Sequence, residues 1–415
     1  MERIILHCDM NNFYASVECR RNPTLRGLPI AVCGSEEERH GIVLAKSEAA
    51  KAFGICTGDT VYSARQKCPT LVIVPPHFDE YVAASRQARA IYARFTDQVE
   101  PFGLDECWLD VTGSTGLFGD GPTIADTLRQ TIRQELGLTI SVGVSFNKIF
   151  AKLGSDLKKP DAVTCIFPDT FRAQLWELPV GALLGVGGAT RTILEKCGIR
   201  TIGQLAAADP AWLKYHLKGR AAQLVAYANG QDTSPVRRMD VTVPAKSVGH
   251  GVTAPHDLTD SGEIWPVMLE LTQDIGHKLR VCGRAATGVA IAVRDNSLRT
   301  RQWQRALDTP TQSPLLLARA AFALFEKVYP WRLPVRAVTV TAIGLADAGV
   351  PCQLKLLEDP ARLIRQEKLD DTVERLRARF GADAVRNAVL CGGAWVPQSG
   401  GICSLPTGVP DGDPF

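Results

Sequence analysis

The residues Ile4-Ile5-Leu6-His7-Cys8 form a short apolar run, and an acid, Asp9, ends it. A run of this length is a candidate buried strand. The pattern returns at Leu71-Val72-Ile73-Val74, stopped by Pro75-Pro76, at Cys107 to Val111 and at Leu138 to Val144. Between these runs lie helix-compatible stretches, Asn12 to Cys19 and Tyr81 to Phe95, the latter with Ile91, Tyr92 and Phe95 on one face. The mixture predicts an α+β domain over residues 1–165, one sheet with helices packed on it.

The rest of the chain changes character twice. Residues 170–230 read as short helices joined by tight turns, and Gln231 to Lys246, with Ser234-Pro235-Val236-Arg237-Arg238, as a polar extended linker. From about 245 to 345 strand and helix alternate again: Ala286–Arg294 and Val335–Ile343 are β-rich, Leu271–Arg280 and Leu315–Val328 helical. At ~150 residues per domain, 415 residues suggest about three domains. Beyond 346 come Gln353-Leu354-Lys355-Leu356-Leu357 and a helix with Leu369, Val373, Leu376 and Phe380 on one stripe. Residues 391–415 hold 6 Gly and 4 Pro, a composition that predicts a disordered tail.

Composition excludes several classes. With 45% hydrophobic and 22% charged residues the chain is neither a disordered nor a fibrous one. No apolar run approaches the ~18 residues of a membrane span, and the first strand is too short for a signal peptide. The expectation is a cytoplasmic protein that does not engage a membrane. Twelve cysteines contain no Cys-x-x-Cys pair, so they read as reduced, small hydrophobes. Net charge is +3, but residues 241–345 carry 3 Lys and 9 Arg against 8 acids, a surplus of four that fits a polyanion-binding face or a solvated surface.

Three features carry chemistry. Asp9, Asp105 and Glu106 sit in apolar, strand-like surroundings, where a carboxylate is costly unless paired or metal-bound. Adjacent strand residues point to opposite faces, so Asp105 and Glu106 can serve one site only if the chain turns, which Gly103 permits. Oxygen ligands without convergent His or Cys favour Mg²⁺ over zinc; spacing alone also allows Asp9 and Asp105 to cap turns. Next, Ser145-Phe146-Asn147-Lys148 opens a helix, placing a lysine and free amides at an anion-binding terminus, and Lys158-Lys159-Pro160 ends it. Last, Leu184-Gly185-Val186-Gly187-Gly188-Ala189-Thr190 between helices fits a helix-hairpin-helix that offers backbone amides to a DNA phosphate, or a plain glycine-capped hairpin. A second copy lies near Leu217-Lys218-Gly219-Arg220.

At these residues the chain resembles the Y-family (translesion) DNA polymerases. Asp9-Met10-Asn11-Asn12-Phe13-Tyr14-Ala15-Ser16-Val17-Glu18 resembles their opening motif, Leu104-Asp105-Glu106-Cys107-Trp108-Leu109-Asp110 their paired-acid motif, and the stretch from Ser141 to Pro160 their third palm motif. Val43 to Ile55 resembles the fingers segment. The motifs run in matching order over about residues 1–380, and the branch resembled is DNA polymerase IV.

The resemblance implies a right-hand α+β multidomain fold: palm at 1–20 and 76–165, fingers at 21–75, helix-hairpin-helix thumb at 166–232, linker at 233–245, α+β little finger at 246–345, and clamp peptide with helix at 346–390. It implies a template-directed, low-fidelity polymerase adding dNTPs to a primer 3′-OH with two Mg²⁺ ions. Asp9, Asp105 and the Met10 carbonyl would ligate the metals and Glu106 would complete the catalytic site. Tyr14 would exclude the ribose 2′-OH, with Phe13 shaping the sugar pocket. Lys51 and Lys159 would meet the triphosphate. Gly185, Gly187 and Thr190, and in the little finger Lys246, Arg294, Arg299, Arg301 and Arg305, would contact primer–template DNA. Gln353, Leu354, Leu356 and Leu357 would dock on the sliding clamp. A monomer is expected.

The chain departs from the family pattern in places. Gly103 replaces a serine, and Glu48 stands where a tyrosine usually meets the triphosphate, so Glu48 is expected to point away. Lys51 replaces an arginine and loses its bidentate fork. Two rival readings are a non-catalytic repair accessory protein on the same scaffold, disfavoured because all three acids are present, and a palm-type nucleotidyl cyclase, which needs neither hairpin nor basic third domain.

Overall fold

A computed structural model describes residues 2–241, 243–349, 360–391 and 395–397. Among the described residues two compact units emerge: one holds the chain to Gly34 and from Ile42 to Val241, the other Ser35–Gly41 and the described residues from Val243 on.

The strands of the first unit are β1 (Ile5–Met10), β2 (Ile30–Cys33), β3 (Val43–Lys46), β4 (Val72–Val74), β5 (Val99–Pro101), β6 (Glu106–Asp110), β7 (Ile140–Ser145) and β8 (Val163–Ile166). Among the described residues they form a five-stranded sheet, β5-β6-β1-β7-β8, and a three-stranded one, β3-β2-β4. All six residues of β1 are buried, as an apolar run at the centre of a covered sheet should be. The helices that matter here are α1 (Phe13–Arg21), α2 (Glu48–Lys51), α3 (Phe78–Tyr92), α4 (Gly121–Leu136), α5 (Lys148–Leu157) and α6 (Gly188–Lys196). Leu6, Cys8 and Met10 share a core with Phe13 of α1, Tyr81 and Ile91 of α3 and Ile124 and Leu128 of α4. His7 and Asp9 therefore look to the opposite face, which α5 covers.

Helix α5 lies close on the sheet because β7 offers a glycine. A Cβ on Gly143 would stand 1.9 Å from the Ala151 carbonyl oxygen and 2.5 Å from the Ser155 nitrogen. Asn147 caps the helix, its side chain accepting from Phe150 N at 2.8 Å. The other flank of α5, through Ile149, Phe150 and Leu153, seeds the core of the helical segment with Leu175, Leu183, Leu194, Ile202 and Leu224.

The linker is extended, yet its first part is pinned. Val236 is buried against Ile5, Trp108 and Ala151, and Arg237 reaches Glu100 Oε1 at 3.0 Å.

The second unit is a four-stranded antiparallel sheet, β11-β10-β12-β9, built from β9 (Ser247–Leu258), β10 (Arg284–Asp295), β11 (Thr300–Thr311) and β12 (Val335–Asp347). Helices α7 (Ser261–Val281) and α8 (Pro314–Val328) cover one face, sharing a core with Val289, Ile291, Val338 and Val340. Helix α9 (Pro360–Phe380) departs from expectation. Leu369, Leu376 and Phe380 of its apolar stripe are exposed. It meets α7 instead through polar pairs: Arg377 to Gln273 at 2.9 Å, His277 to Glu374, and Arg280 to Asp370 at 3.7 Å.

Candidate active site

Cross-strand register brings the acids together. Asp9 on β1 stands directly opposite Glu106 on β6, so both side chains leave the same face. Asp105 falls just before β6, in a turn where Gly103 takes φ +93°, a conformation that favours glycine. The Asp105 carbonyl accepts from Met10 N at 3.0 Å and the Glu106 carbonyl from Phe102 N at 2.8 Å, which locks the turn against β1. The Met10 side chain is buried in the core, away from the acids.

Helix α5 and the segment after it set cations over this cluster. Lys152 Nζ lies 3.2 Å from Asp9 Oδ2, 3.0 Å from Glu106 Oε1 and 3.2 Å from Asp156 Oδ2. Lys159 Nζ lies 2.8 Å from Asp9 Oδ2 and 2.9 Å from Asp156 Oδ1. Beneath Glu106, the wholly buried His7 puts Nε2 3.4 Å from Glu106 Oε2.

Electrostatics differ among the three acids. Burial, with the charges of Asp9 and Glu106, pushes Asp105 up to about 6. Burial also raises Asp9, against the pull of Lys159 and Lys152. Glu106 goes the other way: burial opposes its charge, but His7 and Lys152 outweigh it and hold the carboxyl well below its usual range. Burial likewise works against the Lys152 ammonium, and Asp9, Glu106 and Asp156 more than compensate.

Among the described residues no three His, Cys, Asp or Glu side chains converge in the spacing of a preassembled metal cage. The Lys152 ammonium bridges Asp9 and Glu106. The donor set nonetheless fits a hard divalent cation. It is all oxygen, buried and like-charged, and Asp105 is held toward its protonated form for want of positive charge.

The remaining predicted residues fall in several places. Tyr14 stacks on Tyr81, ring centroids 4.2 Å apart and planes 10° from parallel, with Phe78 edge-on at 6.0 Å. Phe13 is buried in the core beside them. Lys51, half exposed on α2, lies 3.6 Å from Glu48 Oε1. Glu48 is turned to the start of α1, accepting from Asn12 Nδ2 at 3.0 Å. Lys148 is not an open anion site: it bonds Glu100 Oε2 at 2.8 Å and lies over the Trp108 ring at 4.4 Å.

In the helical segment, Gly185 takes φ +91° and Gly187 precedes α6 with no side-chain cap, so the helix-start amides around Gly187 and Thr190 remain on offer. Arg220 Nη2 donates to the Gly185 carbonyl at 2.8 Å, tying the second hairpin to the first.

In the second unit the arginines divide. Arg294 pairs with Thr300, while Arg301 and Arg305 pair with Val293 and Val289, whose side chains enter the core. Arg294 therefore belongs to the open face of the sheet, and Arg301 and Arg305 to the helix side of its exposed edge strand. Arg299 lies in the connecting turn, its amide donating to Asp295 Oδ1 at 3.2 Å, and Lys246 is exposed just before β9. Gln353, Leu354, Leu356 and Leu357 lie outside the described residues.

Comparison with known proteins decides the family. The impB/mucB/samB family matches residues 8–156, and the impB/mucB/samB family C-terminal domain matches 245–356. A solved Y-family DNA polymerase chimera, Dbh-Dpo4-Dbh, shares the fold with a TM-score of 0.74 at 23% identity, over 82% of this chain and 99% of that one. DNA polymerase IV of Acetivibrio thermocellus is 47% identical over 390 residues, 94% of this chain and 98% of the relative. The chain belongs to the Y-family DNA polymerases, in the DNA polymerase IV branch. DNA polymerase IV of Moorella thermoacetica is also similar, 38% identical over 400 residues, 95% of this chain and 98% of the relative. As a Y-family polymerase the protein is a DNA-directed DNA polymerase of the translesion class, with primer–template DNA and dNTPs as substrates. No helix among the described residues is long and apolar enough to cross a membrane.

Several residues of this Y-family site escaped sequence reasoning: Lys152, Asp156, His7 and Tyr81. Lys152 and Asp156 lie in the motif from Ser141 to Pro160, one and two helical turns past Lys148, but the motif reading gave them no role. Nothing local marks His7 or Tyr81, which act through partners distant in sequence.

Proposed function

We propose that the protein extends a primer 3′-OH by Mg²⁺-dependent phosphoryl transfer, with low fidelity and release of pyrophosphate. The observation that supports this best is the direct cross-strand opposition of Asp9 and Glu106, with Asp105 turned in beside them. Two Mg²⁺ ions, when bound, would activate the 3′-OH and neutralise the phosphates. Asp9, Asp105, Glu106 and the Met10 carbonyl would hold them. Lys152 and Lys159 balance the acids in the free enzyme, and Lys159 with Lys51 receives the triphosphate charge. Tyr14, braced by its stack on Tyr81, blocks the space a 2′-OH would need. Most of the rate comes from positioning and charge stabilisation.

The five-stranded sheet then serves as palm (1–20 and 76–165), the three-stranded one as fingers (21–75) and the helical segment as thumb (166–232), its glycine hairpin receiving a DNA phosphate. Within the second unit, residues 246–345 are the little finger. Its open face carries Arg294 among small and polar residues: Ala290, Ala292, Thr339, Thr341, Gln302 and Gln304. Such a face can lie along a backbone without reading bases. Residues 353–357 dock the sliding clamp, and the enzyme works as a cytoplasmic monomer.

Primer extension on an undamaged template, with Mg²⁺ and four dNTPs, tests this. Wild type extends and Asp105→Ala/Glu106→Ala does not, although both bind primer–template. Undiminished extension by the double variant would overturn the assignment of the acids. Tyr14→Ala should lower the preference for dNTP over rNTP; an unchanged preference removes Tyr14 as the sugar gate.

A further inference from the structure

A histidine with no access to solvent sits beneath the acid cluster, and its surroundings are arranged around both ring nitrogens. His7 is 0% exposed on β1, two residues before Asp9 and on the same face. Its ring packs edge-on against Trp108, centroids 5.3 Å apart. Nδ1 lies 2.8 Å from Ser155 Oγ on α5. Nε2 lies 3.4 Å from Glu106 Oε2, and both atoms are buried without a hydrogen-bond partner. Burying an imidazole here costs free energy that an apolar residue packed on Trp108 would not incur. The position therefore serves something other than packing.

Two tautomers fit the Ser155 contact, and the carboxylate beside Nε2 chooses between them. Ser155 Oγ donates to the Lys152 carbonyl at 2.7 Å and lies 2.8 Å from His7 Nδ1, and its one proton cannot serve both. When the hydroxyl turns from that carbonyl to donate to Nδ1, the ring carries its proton on Nε2 and directs it at the Glu106 carboxylate. The other tautomer would set a nitrogen lone pair against a carboxylate oxygen. Lys152 holds only Oε1 of Glu106, at 3.0 Å. The last torsion of a glutamate is broad and roughly two-fold, so a contact on Oε1 alone leaves the carboxylate plane loosely set. At 3.4 Å the Nε2 contact is long for a hydrogen bond, and such bonds in a free enzyme commonly tighten once substrate is in place.

We infer that His7 is a positioning residue, oriented by Ser155, that fixes the Glu106 carboxylate plane by donating from Nε2 to Oε2. The inference rests on the reading that Glu106 holds the catalytic metal. Outer-shell partners of metal-binding carboxylates typically matter about 10- to 100-fold in affinity or activity.

Substitutions separate the two ends of the ring. Glutamine can present an amide near Nε2, whereas asparagine reaches only the Nδ1 side. On a complex with a dideoxy-terminated primer, which cannot turn over, Mn²⁺ binding is read by electron paramagnetic resonance. His7→Leu and His7→Asn are expected to weaken Mn²⁺ binding about tenfold and lower kcat at least as much. His7→Gln should stay within about threefold of wild type in both, and the KM for dNTP and the Kd for primer–template should not move. If folded His7→Leu matches wild type in Mn²⁺ binding and kcat, the inference is wrong. Equal losses for His7→Gln and His7→Asn also overturn it, since packing alone would then explain the position. This pair decides the matter even if His7→Leu does not fold. Glu106→Gln serves as the control: if it keeps full Mn²⁺ binding and kcat, the metal reading of Glu106 fails, whereas an inactive Glu106→Gln beside normal His7 variants sinks only the role of His7.

Discussion

Gly143→Ala should injure catalysis without touching a single catalytic group. Gly143 sits in β7 opposite His7. The new Cβ would lie 1.9 Å from the Ala151 carbonyl oxygen and 2.5 Å from the Ser155 amide nitrogen. Both are backbone atoms of α5, so no side-chain rotation relieves the clash. Close C···O contacts begin near ~3.3 Å, so strand and helix must separate by about 1.4 Å at this point. Overpacking of this kind costs about 1–3 kcal/mol, or more, which for a unit of this size lowers Tm by roughly 2–12 °C. The larger effect is on rate, because α5 carries Lys152, Ser155 and Asp156 over the acids. A misplacement of ~1 Å in an active site can cost about 100-fold. Single-turnover extension at saturating dNTP, beside a thermal melt, measures both. A folded variant whose rate stays within about threefold of wild type would refute the claim that the close helix–sheet approach at Gly143 sets the site.

Three further outcomes are expected. Lys152→Met strips Asp9, Glu106 and Asp156 of their shared counter-charge; the metal-free protein should lose on the order of 3 kcal/mol, and Mg²⁺ should raise the variant's melting temperature more than that of wild type. Equal rises in a melt with and without EDTA would contradict this. Asp105 has its folded pKa raised to about 6 by burial and by Asp9 and Glu106, so the folded state holds its proton more tightly than the unfolded chain. Stability is then lost as pH climbs from about 4 past 6, and Asp105→Asn should exceed wild type by up to about 3 kcal/mol at pH 7.5 and match it near pH 4, in urea melts with EDTA. Deleting residues 353–357 should leave distributive synthesis intact and abolish stimulation by the sliding clamp; surviving stimulation places the docking peptide elsewhere.

Local pattern went far in the first unit and less far in the second. The runs around β1, β6 and β7 are legible because central, covered strands are apolar on both faces. In the second unit β10 and β12 show through their Val and Ala, whereas β9 and β11 do not. Those two are the edge strands, with glycine, glutamine and arginine among the residues that meet no core. Helix α9 misleads for the opposite reason: its leucines repeat at helical spacing, but it docks through Arg377, Glu374 and Asp370 and leaves the leucines outside.

The same division runs through the active site. Asp9, Asp105 and Glu106, with the turn at Gly103, are readable from the chain alone. Each is an acid at the end of an apolar strand, and the reason for its burial is local. Their motif also carries the resemblance that leads to a polymerase. Only the tertiary structure decided that Asp9 faces Glu106, that Lys152 and Lys159 balance them, and that His7 lies beneath with Ser155. These pairings join residues 46 to 150 positions apart, and they follow from a strand register and from how closely a helix can approach a glycine. A sequence window holds the groups, while the distances between them exist only once β1, β6, β7 and α5 have packed.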